Sequence, residues 1–313
     1  MRNLISQTSI DFMSKQKLAI MLSGALLVIA VLAILIRGLN LGVDFTGGYT
    51  IELGYDSAPD LEQIRQTIVD AQMPEAQVQT FGSSSDILIR MAPREGLTNA
   101  NLSTELVNAL KPTTSGEIDV RRVEFVGPQV GEELREKGGL AILFALAGII
   151  IYIWFRFEKK FSVGSVLALV HDVVITIGVF ALFQIEFDLT ILAAILAVIG
   201  YSLNDTIVVF DRIRENFRTM RRGTPLEVMN TSINQTLSRT VITSLTTLLV
   251  LSSLFIFGGK IINGFSLALI IGVIVGTYSS IFVASMAVLA LGITKEDLMP
   301  VEKEGADLEG DLP

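Results

Sequence analysis

The chain has 313 residues, half of them hydrophobic, and a formal net charge of −8. Its long uncharged apolar segments are typical of proteins that cross a lipid bilayer several times, and they exclude a soluble enzyme. The acidic balance argues against a nucleic-acid partner, because binding phosphates requires a basic surface. With no cysteine and one histidine, the chain cannot form a thiolate or multi-histidine metal site. It also lacks a phosphate-binding glycine loop. We therefore expect no cofactor, no nucleotide and no enzymatic activity.

Six apolar segments predict six membrane-spanning helices. They cover residues 18–36, 139–155, 161–183, 189–210, 240–257 and part of 262–293. A helix needs roughly 20 apolar residues to cross the hydrocarbon layer, and these segments come close to that length. The first apolar run is longer than the core of a cleaved signal peptide, so we expect it to remain as an anchor.

The basic residues predict how the chain is oriented in the membrane. They concentrate between the second and third segments and again within residues 212–222, so the positive-inside rule makes these regions and both termini cytoplasmic. Binding of anionic lipid or a partner by the arginine-rich region is an alternative. The predicted organisation is a cytoplasmic N-terminus (1–17), a first span (18–37), an outer domain (38–137), five further spans (138–293) with a cytoplasmic loop (211–236), and an acidic disordered cytoplasmic tail (294–313).

The outer segment carries the pattern of a small α+β domain. Alternating or short apolar runs predict strands at 50–53, 78–81, 87–91 and 120–125, and amphipathic patterns predict helices at 61–68 and 99–110. The order strand, helix, strand, strand, helix, strand is that of the ferredoxin-like fold. Further along, Thr224 and Glu227 have the spacing of a capping box, which predicts a helix start.

Asp205 is the main candidate for a functional residue. It lies inside the apolar segment 189–210, where a charge costs roughly 2.5–3.5 kcal/mol on insertion scales. Carboxylates at this depth usually mark proton or ion pathways, so we expect Asp205 to exchange protons, with Tyr201 and Asn204 as polar neighbours. The alternative is an aspartate that only forms hydrogen bonds across a helix interface.

Arg239 is the candidate counter-charge for Asp205. It belongs to a polar stripe at helical spacing that includes Thr240 and Thr243 and runs into the fifth span. An Asp205–Arg239 ion pair that breaks when the carboxylate is protonated would be a two-state trigger. The alternative is an ordinary arginine at the lipid headgroups.

His171 and Asp172 form a second polar pair, in the middle of the third span. They are expected either to extend a proton relay or to be a satisfied polar pair. Gly272 and Gly276 in the sixth span have the G-x-x-x-G spacing that allows close helix packing, and we assign them no chemistry.

Several motifs together resemble those of a known family. They are residues 42–48 (GVDFTGG), 125–128 (FVGP), 152–158 (YIWFRFE), 167–172 (LALVHD), 200–216 (GYSLNDTIVVFDRIREN) and 235–240 (QTLSRT). The chain resembles the SecF family, whose members are the smaller subunits of the bacterial SecDF complex, and the likeness extends over nearly its whole length. The longest of these motifs is highly specific.

The resemblance implies a polytopic α-helical protein of the inner membrane, with six transmembrane helices like half of a resistance-nodulation-division transporter and a periplasmic outer domain. It also implies SecD, the Sec translocon and a translocating preprotein as partners. The proton motive force would drive late, periplasmic-side steps of export through Asp205 and Arg239. The family site also uses an aspartate of SecD, which this chain lacks.

Two alternatives differ in class from a translocation subunit. One is a half-transporter of a proton-coupled exporter of small molecules, which the single set of six spans disfavours. The other is a scaffold of a membrane complex without transport activity, which the intramembrane charges disfavour.

Overall fold

The computed structural model describes residues 9–71, 76–92, 99–114, 116–220, 222–294 and 296–298. Most of the predicted acidic tail at 294–313 lies outside these residues. In chain order the described helices and strands are α1 Gln16–Arg37, β1 Asn40–Leu41, α2 Val43–Thr46, β2 Gly48–Tyr55, α3 Leu61–Asp70, β3 Gln77–Phe81, β4 Ser83–Met91, α4 Asn99–Leu110, β5 Ile118–Val126, α5 Pro128–Arg156, α6 Lys159–Phe183, β6 Glu186–Phe187, α7 Leu189–Thr219, α8 Pro225–Phe257, α9 Gly259–Ser279 and α10 Ser285–Ala290.

Within the described residues, six helical segments are long and apolar enough to cross a membrane, as predicted. They are α1, α5, α6, α7, α8 and the combined segment α9–α10. The last one is interrupted at Ser280–Ala284 by a π-helix, a local widening that is frequent at functional sites. The apolar pattern does not predict this interruption.

The connection at 211–236, predicted as a cytoplasmic loop with a helix start at Thr224, is mostly helical. Helix α7 continues to Thr219, and α8 already begins at Pro225 behind the predicted capping box of Thr224 and Glu227. The apolar stretch of α7 ends at Phe210, but the helix continues to Thr219 through residues that form ion pairs. Arg214 contacts Glu158 at 2.8 Å, for example, and Arg156 contacts Asp211 at 2.7 Å.

The outer domain has the predicted ferredoxin-like order. Its four strands form one antiparallel sheet in the order β3-β4-β2-β5, with α3 and α4 as the two helices of the repeat. Every second residue of β2, from Tyr49 to Tyr55, enters the core, where Ile87 and Ile89 of β4 also lie. Asp60 caps α3 by accepting from the Glu62 amide at 2.9 Å.

A pair of glycines joins this domain to the membrane helices. Gly47 has φ 70° and Gly48 has φ 131°, a region that side chains rarely adopt. A Cβ atom on Gly47 would lie 2.7 Å from Pro128 at the start of α5, and one on Gly48 would lie 2.5 Å from the Met91 carbonyl at the end of β4. Three chain segments therefore meet at a point that excludes side chains.

Helices α6, α7 and α9 form the centre of the membrane part. Gly272 and Gly276 of α9 face α7, where they contact Val198 and Ser202 respectively. Helices α1, α5 and α8 instead expose most of their apolar side chains. The close approach of α9 to α7 brings the polar side chains of the central helices together.

Candidate functional site

Asp205 lies at the meeting point of three membrane helices. It projects from α7 with 7% of its surface exposed. Thr240 Oγ1 of α8 donates to Oδ1 at 2.7 Å, and Ser280 Oγ, at the start of the π-helix, donates to Oδ2 at 2.5 Å. Each carboxylate oxygen therefore has a hydroxyl donor from a different helix, an arrangement that lowers the cost of burying the carboxylate.

Arg239 does not form the predicted ion pair with Asp205. In the described residues it has no carboxylate within 4.0 Å, although its charge acts on Asp205 through space. Successive residues of a helix are rotated by about 100°. Because Thr240 faces the interior, the neighbouring Arg239 turns outward to an exposed position. The predicted ion pair is thus replaced by a hydroxyl contact.

The side chain of Arg239 instead lines an open groove along α7 and α8. Asn204, also exposed, lies in the same groove, as do Asp211, Glu215 and Gln235. Two of the residues predicted to lie beside Asp205 therefore lie on a different face of the helices. Asp205 points into the helix bundle, whereas Asn204 and Arg239 point to its surface.

Asp172 is the centre of a second buried polar cluster. It has no exposed surface, and its Oδ1 lies 2.8 Å from His171 Nδ1. Its Oδ2 accepts from Ser279 Oγ at 2.6 Å and from Ser202 Oγ in a short hydrogen bond. The pair His171–Asp172 is thus tied to both α7 and α9.

The two remaining predicted site residues lie at the edge of these clusters. Tyr201 donates to Ser244 Oγ at 3.4 Å, and Ser244 in turn contacts Thr277 Oγ1 at 2.7 Å. Thr243 donates to backbone carbonyls of its own helix, those of Arg239 and Thr240, at 3.0 Å. The structure therefore does not bring Thr243 to Asp205.

The serine and threonine residues that hold the carboxylates are not among the site residues predicted from the sequence. Ser202, Ser279 and Ser280 sit in apolar segments where a lone hydroxyl carries little signal. Thr240 was part of the polar stripe, but its register next to Arg239 did not show which of the two would face Asp205.

The outer end of α7, the helix that carries Asp205, is fastened to the outer domain. Asp188 caps it by accepting from Ile191 N at 2.9 Å, and Asp44 accepts from Leu189 N at 3.1 Å. Just before α7, Glu186 forms a close ion pair with Arg90 of β4. Burial lowers the pKa of Arg90, and the charge of Asp188 opposes that effect. A cavity of about 330 Å³ lies beside these contacts, between the sheet and the helix ends.

The described residues include no cluster of three or more histidine, cysteine, aspartate or glutamate side chains suited to hold a metal ion. The chemistry available to the membrane centre is therefore that of two buried carboxylates, one imidazole and several hydroxyls.

Comparison with known proteins gives two family matches. The family described as "Protein export membrane protein SecD/SecF, C-terminal" matches residues 105–294, and the "SecD/SecF GG Motif" matches residues 32–59. The second match contains Gly47 and Gly48, the glycines at the junction of the outer domain and α5.

The chain is also similar to individual proteins. It is 50% identical over 308 residues to the protein translocase subunit SecF of Vibrio alginolyticus, covering 98% of each chain. It is 48% identical to that of Escherichia coli O157:H7, covering 97% of this chain and 95% of the relative. The crystal structure of SecDF, a translocon-associated membrane protein from Thermus thermophilus, is similar with a TM-score of 0.83 at 37% identity. That likeness covers 93% of this chain but 40% of the SecDF chain.

Proposed function

The chain belongs to the SecD/SecF family of protein export membrane proteins, and from that premise we propose that it is an accessory subunit of Sec protein translocation. In this role it moves preproteins rather than transforming them, so we assign it no enzymatic activity. Near-complete coverage of relatives named SecF supports this assignment. The exporter alternative has no support among these relatives.

We propose that a SecD subunit completes the assembly. The chain spans 40% of the length of the solved SecDF chain, which leaves room for a second and larger part. The groove with Asn204 and Arg239, together with the exposed apolar faces of α5 and α8, is a suitable surface for a second set of helices. The Sec translocon and the preprotein itself are the further partners we propose.

Proton coupling at Asp205 is the central part of the proposal, and the burial of that carboxylate by hydroxyls of two other helices carries it. An ionised carboxylate holds both hydroxyls strongly, because hydrogen bonds to a charged acceptor are roughly twice as strong as neutral ones. Protonation weakens both contacts and lets α8 and the π-helix shift relative to α7. A proton crossing the membrane supplies roughly 2.3 kcal/mol per 100 mV, enough to bias such an equilibrium.

The contacts at the outer end of α7 connect the helix that carries Asp205 to the outer domain, which in this proposal acts on the translocating chain. A shift of α7 would move Leu189 and the Glu186 segment, which Asp44 and Arg90 tie to the outer domain. We propose that this domain faces the periplasm and that its movement assists late steps of export. We also propose that both termini are cytoplasmic, which the basic residues at the opposite end support, among them Arg156, Lys160 and Arg212. The bacterial relatives named SecF support a location in the inner membrane.

A complementation experiment tests the proposal. Cells that lack the chain are supplied with wild type or with Asp205→Asn, which keeps the shape but cannot ionise, and export of a preprotein is followed by pulse-chase. Asp119→Asn on the exposed face of β5 is the matched control. We expect the control to restore export and Asp205→Asn to fail while still co-purifying with the partner subunit. Full export by Asp205→Asn would leave the scaffold alternative.

A further inference from the structure

Two consecutive serines hold the two buried carboxylates of the membrane core. Ser279 Oγ donates to Asp172 Oδ2 at 2.6 Å, and Ser280 Oγ donates to Asp205 Oδ2 at 2.5 Å. Both serines are fully buried. The carboxylates lie on different helices, Asp172 on α6 and Asp205 on α7, so a single step along the sixth span connects the two.

The position of the serines explains how they reach both helices. Consecutive side chains of a helix diverge by about 100°, and this segment packs against both α6 and α7. The π-helix begins at Ser280, directly after the last α-helical residue, Ser279. A π-helix carries an extra residue in its turn, and such insertions are frequent at functional sites. The two hydroxyls therefore flank the point where the backbone of the sixth span changes from α-helix to π-helix.

Each of these hydroxyls also has a second acceptor within reach. Ser279 Oγ lies 3.1 Å from the Gly276 carbonyl, and Ser280 Oγ lies 3.1 Å from the Thr277 carbonyl. A hydroxyl has one proton, so donation to the carboxylate competes with donation to the carbonyl. While the carboxylate is ionised it is the stronger acceptor, so the serine hydroxyl donates to it. When it is protonated, the backbone carbonyl becomes the better partner.

Each of the two carboxylates faces its own set of polar and charged groups. Asp172 meets His171, Ser202 and Ser279, and its own helix supplies Thr176, whose hydroxyl bonds the Asp172 carbonyl at 2.7 Å. The ring of Tyr278 lies 6.2 Å from that of His171, and its hydroxyl contacts Ser23 and the Ala19 carbonyl of α1. Asp205 meets Thr240 and Ser280, with Arg239 acting through space.

His171 is the imidazole of the second cluster. Its Nδ1 contacts Asp172, whereas its buried Nε2 has no hydrogen-bond partner in the described residues. A change of net charge at this pair is costly, because the site has no solvent exposure.

We propose that Asp172 and Asp205 form one coupled proton-responsive unit, in which Ser279 and Ser280 at the start of the π-helix pass the state of one carboxylate to the other. The hydroxyls of Ser279 and Ser280 donate to carboxylates and backbone carbonyls, and they do not bond to each other. The coupling therefore acts through a shift of the helix and not through a direct hydrogen bond. Release of one hydroxyl shifts the sixth span and with it the donor to the other carboxylate. Ser279 and Ser280 are thus positioning residues. The inference rests on the proposed function of Asp205 and extends it to a second carboxylate.

Infrared titration of the full chain, purified with its co-purifying partner, tests this coupling. The band of the protonated Asp205 carboxyl is assigned by its loss in Asp205→Asn, and its midpoint is followed against pH. Ser279→Ala removes one oxygen that does not touch Asp205, and we expect it to move the Asp205 midpoint by about one pH unit, a tenfold change in proton affinity. Ser266→Ala is the matched control, since that serine is buried in α9 and its hydroxyl has no described partner.

A double-mutant cycle separates coupling from independent effects. In the Asp172→Asn background, Ser279→Ala should add no further shift, because its link to Asp205 runs through the contact with residue 172. An unchanged midpoint in Ser279→Ala, or two shifts that simply add, would overturn the proposal. The titration does not depend on secretion. Normal secretion by Asp205→Asn would refute the proposed function and leave this coupling measurable.

Discussion

Thr240 of α8 and Asp205 of α7 are joined by a hydrogen bond of 2.7 Å inside the membrane part of the protein. Thr240 is almost fully buried, so water does not replace its hydroxyl when the contact is lost. In the proposed mechanism, the strength of this bond depends on the charge of Asp205, and the position of α8 changes with it.

Removal of the Thr240 hydroxyl should therefore impair proton coupling. Thr240→Val keeps the shape of the side chain but deprives an ionised Asp205 of one of its two hydroxyl donors, a contact worth about 1.5–3 kcal/mol for a charged acceptor. We expect gradient-dependent export to fall about tenfold, whereas Thr240→Ser retains it. Thr246→Val is the control, because the exposed Thr246 bonds only to carbonyls of its own helix. Equal export by Thr240→Val and Thr246→Val would contradict this expectation.

Arg239 should act through its charge rather than through contact. It is exposed in the groove and makes no ion pair with Asp205, so Arg239→Lys should preserve most of the gradient-dependent export. Arg239→Met removes the charge and should reduce export strongly without lowering the amount of protein, since no buried partner is left unpaired. Export assays with immunoblotting decide the outcome. Wild-type export by Arg239→Met would show that the arginine serves only the headgroup region.

The ion pair between Arg90 and Glu186 should transmit movement between α7 and the outer domain. Arg90→Glu and Glu186→Arg each place two like charges in a mostly buried contact and should both impair export. The double exchange restores opposite charges and should recover much of the activity. Exchange of the exposed pair Arg122 and Glu124 is the control. If the double exchange is as defective as the single ones, the pair does not act as a link.

Gly48 should tolerate no side chain. Its φ of 131° and the nearby Met91 carbonyl make Gly48→Ala strained, at a cost of about 1–3 kcal/mol. We expect a lower thermal stability and faster proteolysis of the outer domain. Gly148→Ala in α5, where a Cβ would meet no atom within 4 Å, should leave both unchanged. Equal stability of the two variants would mean that the junction adapts easily.

The sequence predicts this architecture well because its signals are local. Apolar length marks the six spans, and strand alternation with two amphipathic helices gives the ferredoxin-like order of the outer domain. The extent of α7 beyond Phe210 was not predicted, since ion pairs such as Arg214–Glu158 join residues far apart in the chain. The π-helix at Ser280–Ala284 leaves no mark in hydropathy at all.

The candidate site was predicted only in part. Asp205 and Asp172 stand out because a carboxylate is rare in an apolar segment. Their partners do not, because a serine in a span is common and its target depends on the rotation of two helices. Arg239 and Thr240 illustrate this point. They are consecutive residues of α8, and the rotation of that helix determines which of the two faces the carboxylate.

Translocation into inverted membrane vesicles tests the central claim most directly. Vesicles with wild type or Asp205→Asn are compared for translocation of a preprotein, with and without an ionophore that collapses the proton gradient. We predict that the ionophore removes the stimulation due to the wild-type chain and has no such effect on Asp205→Asn vesicles, whose translocation already lies at the unstimulated level. Stimulation of Asp205→Asn vesicles equal to wild type, and equally sensitive to the ionophore, would contradict proton coupling at Asp205.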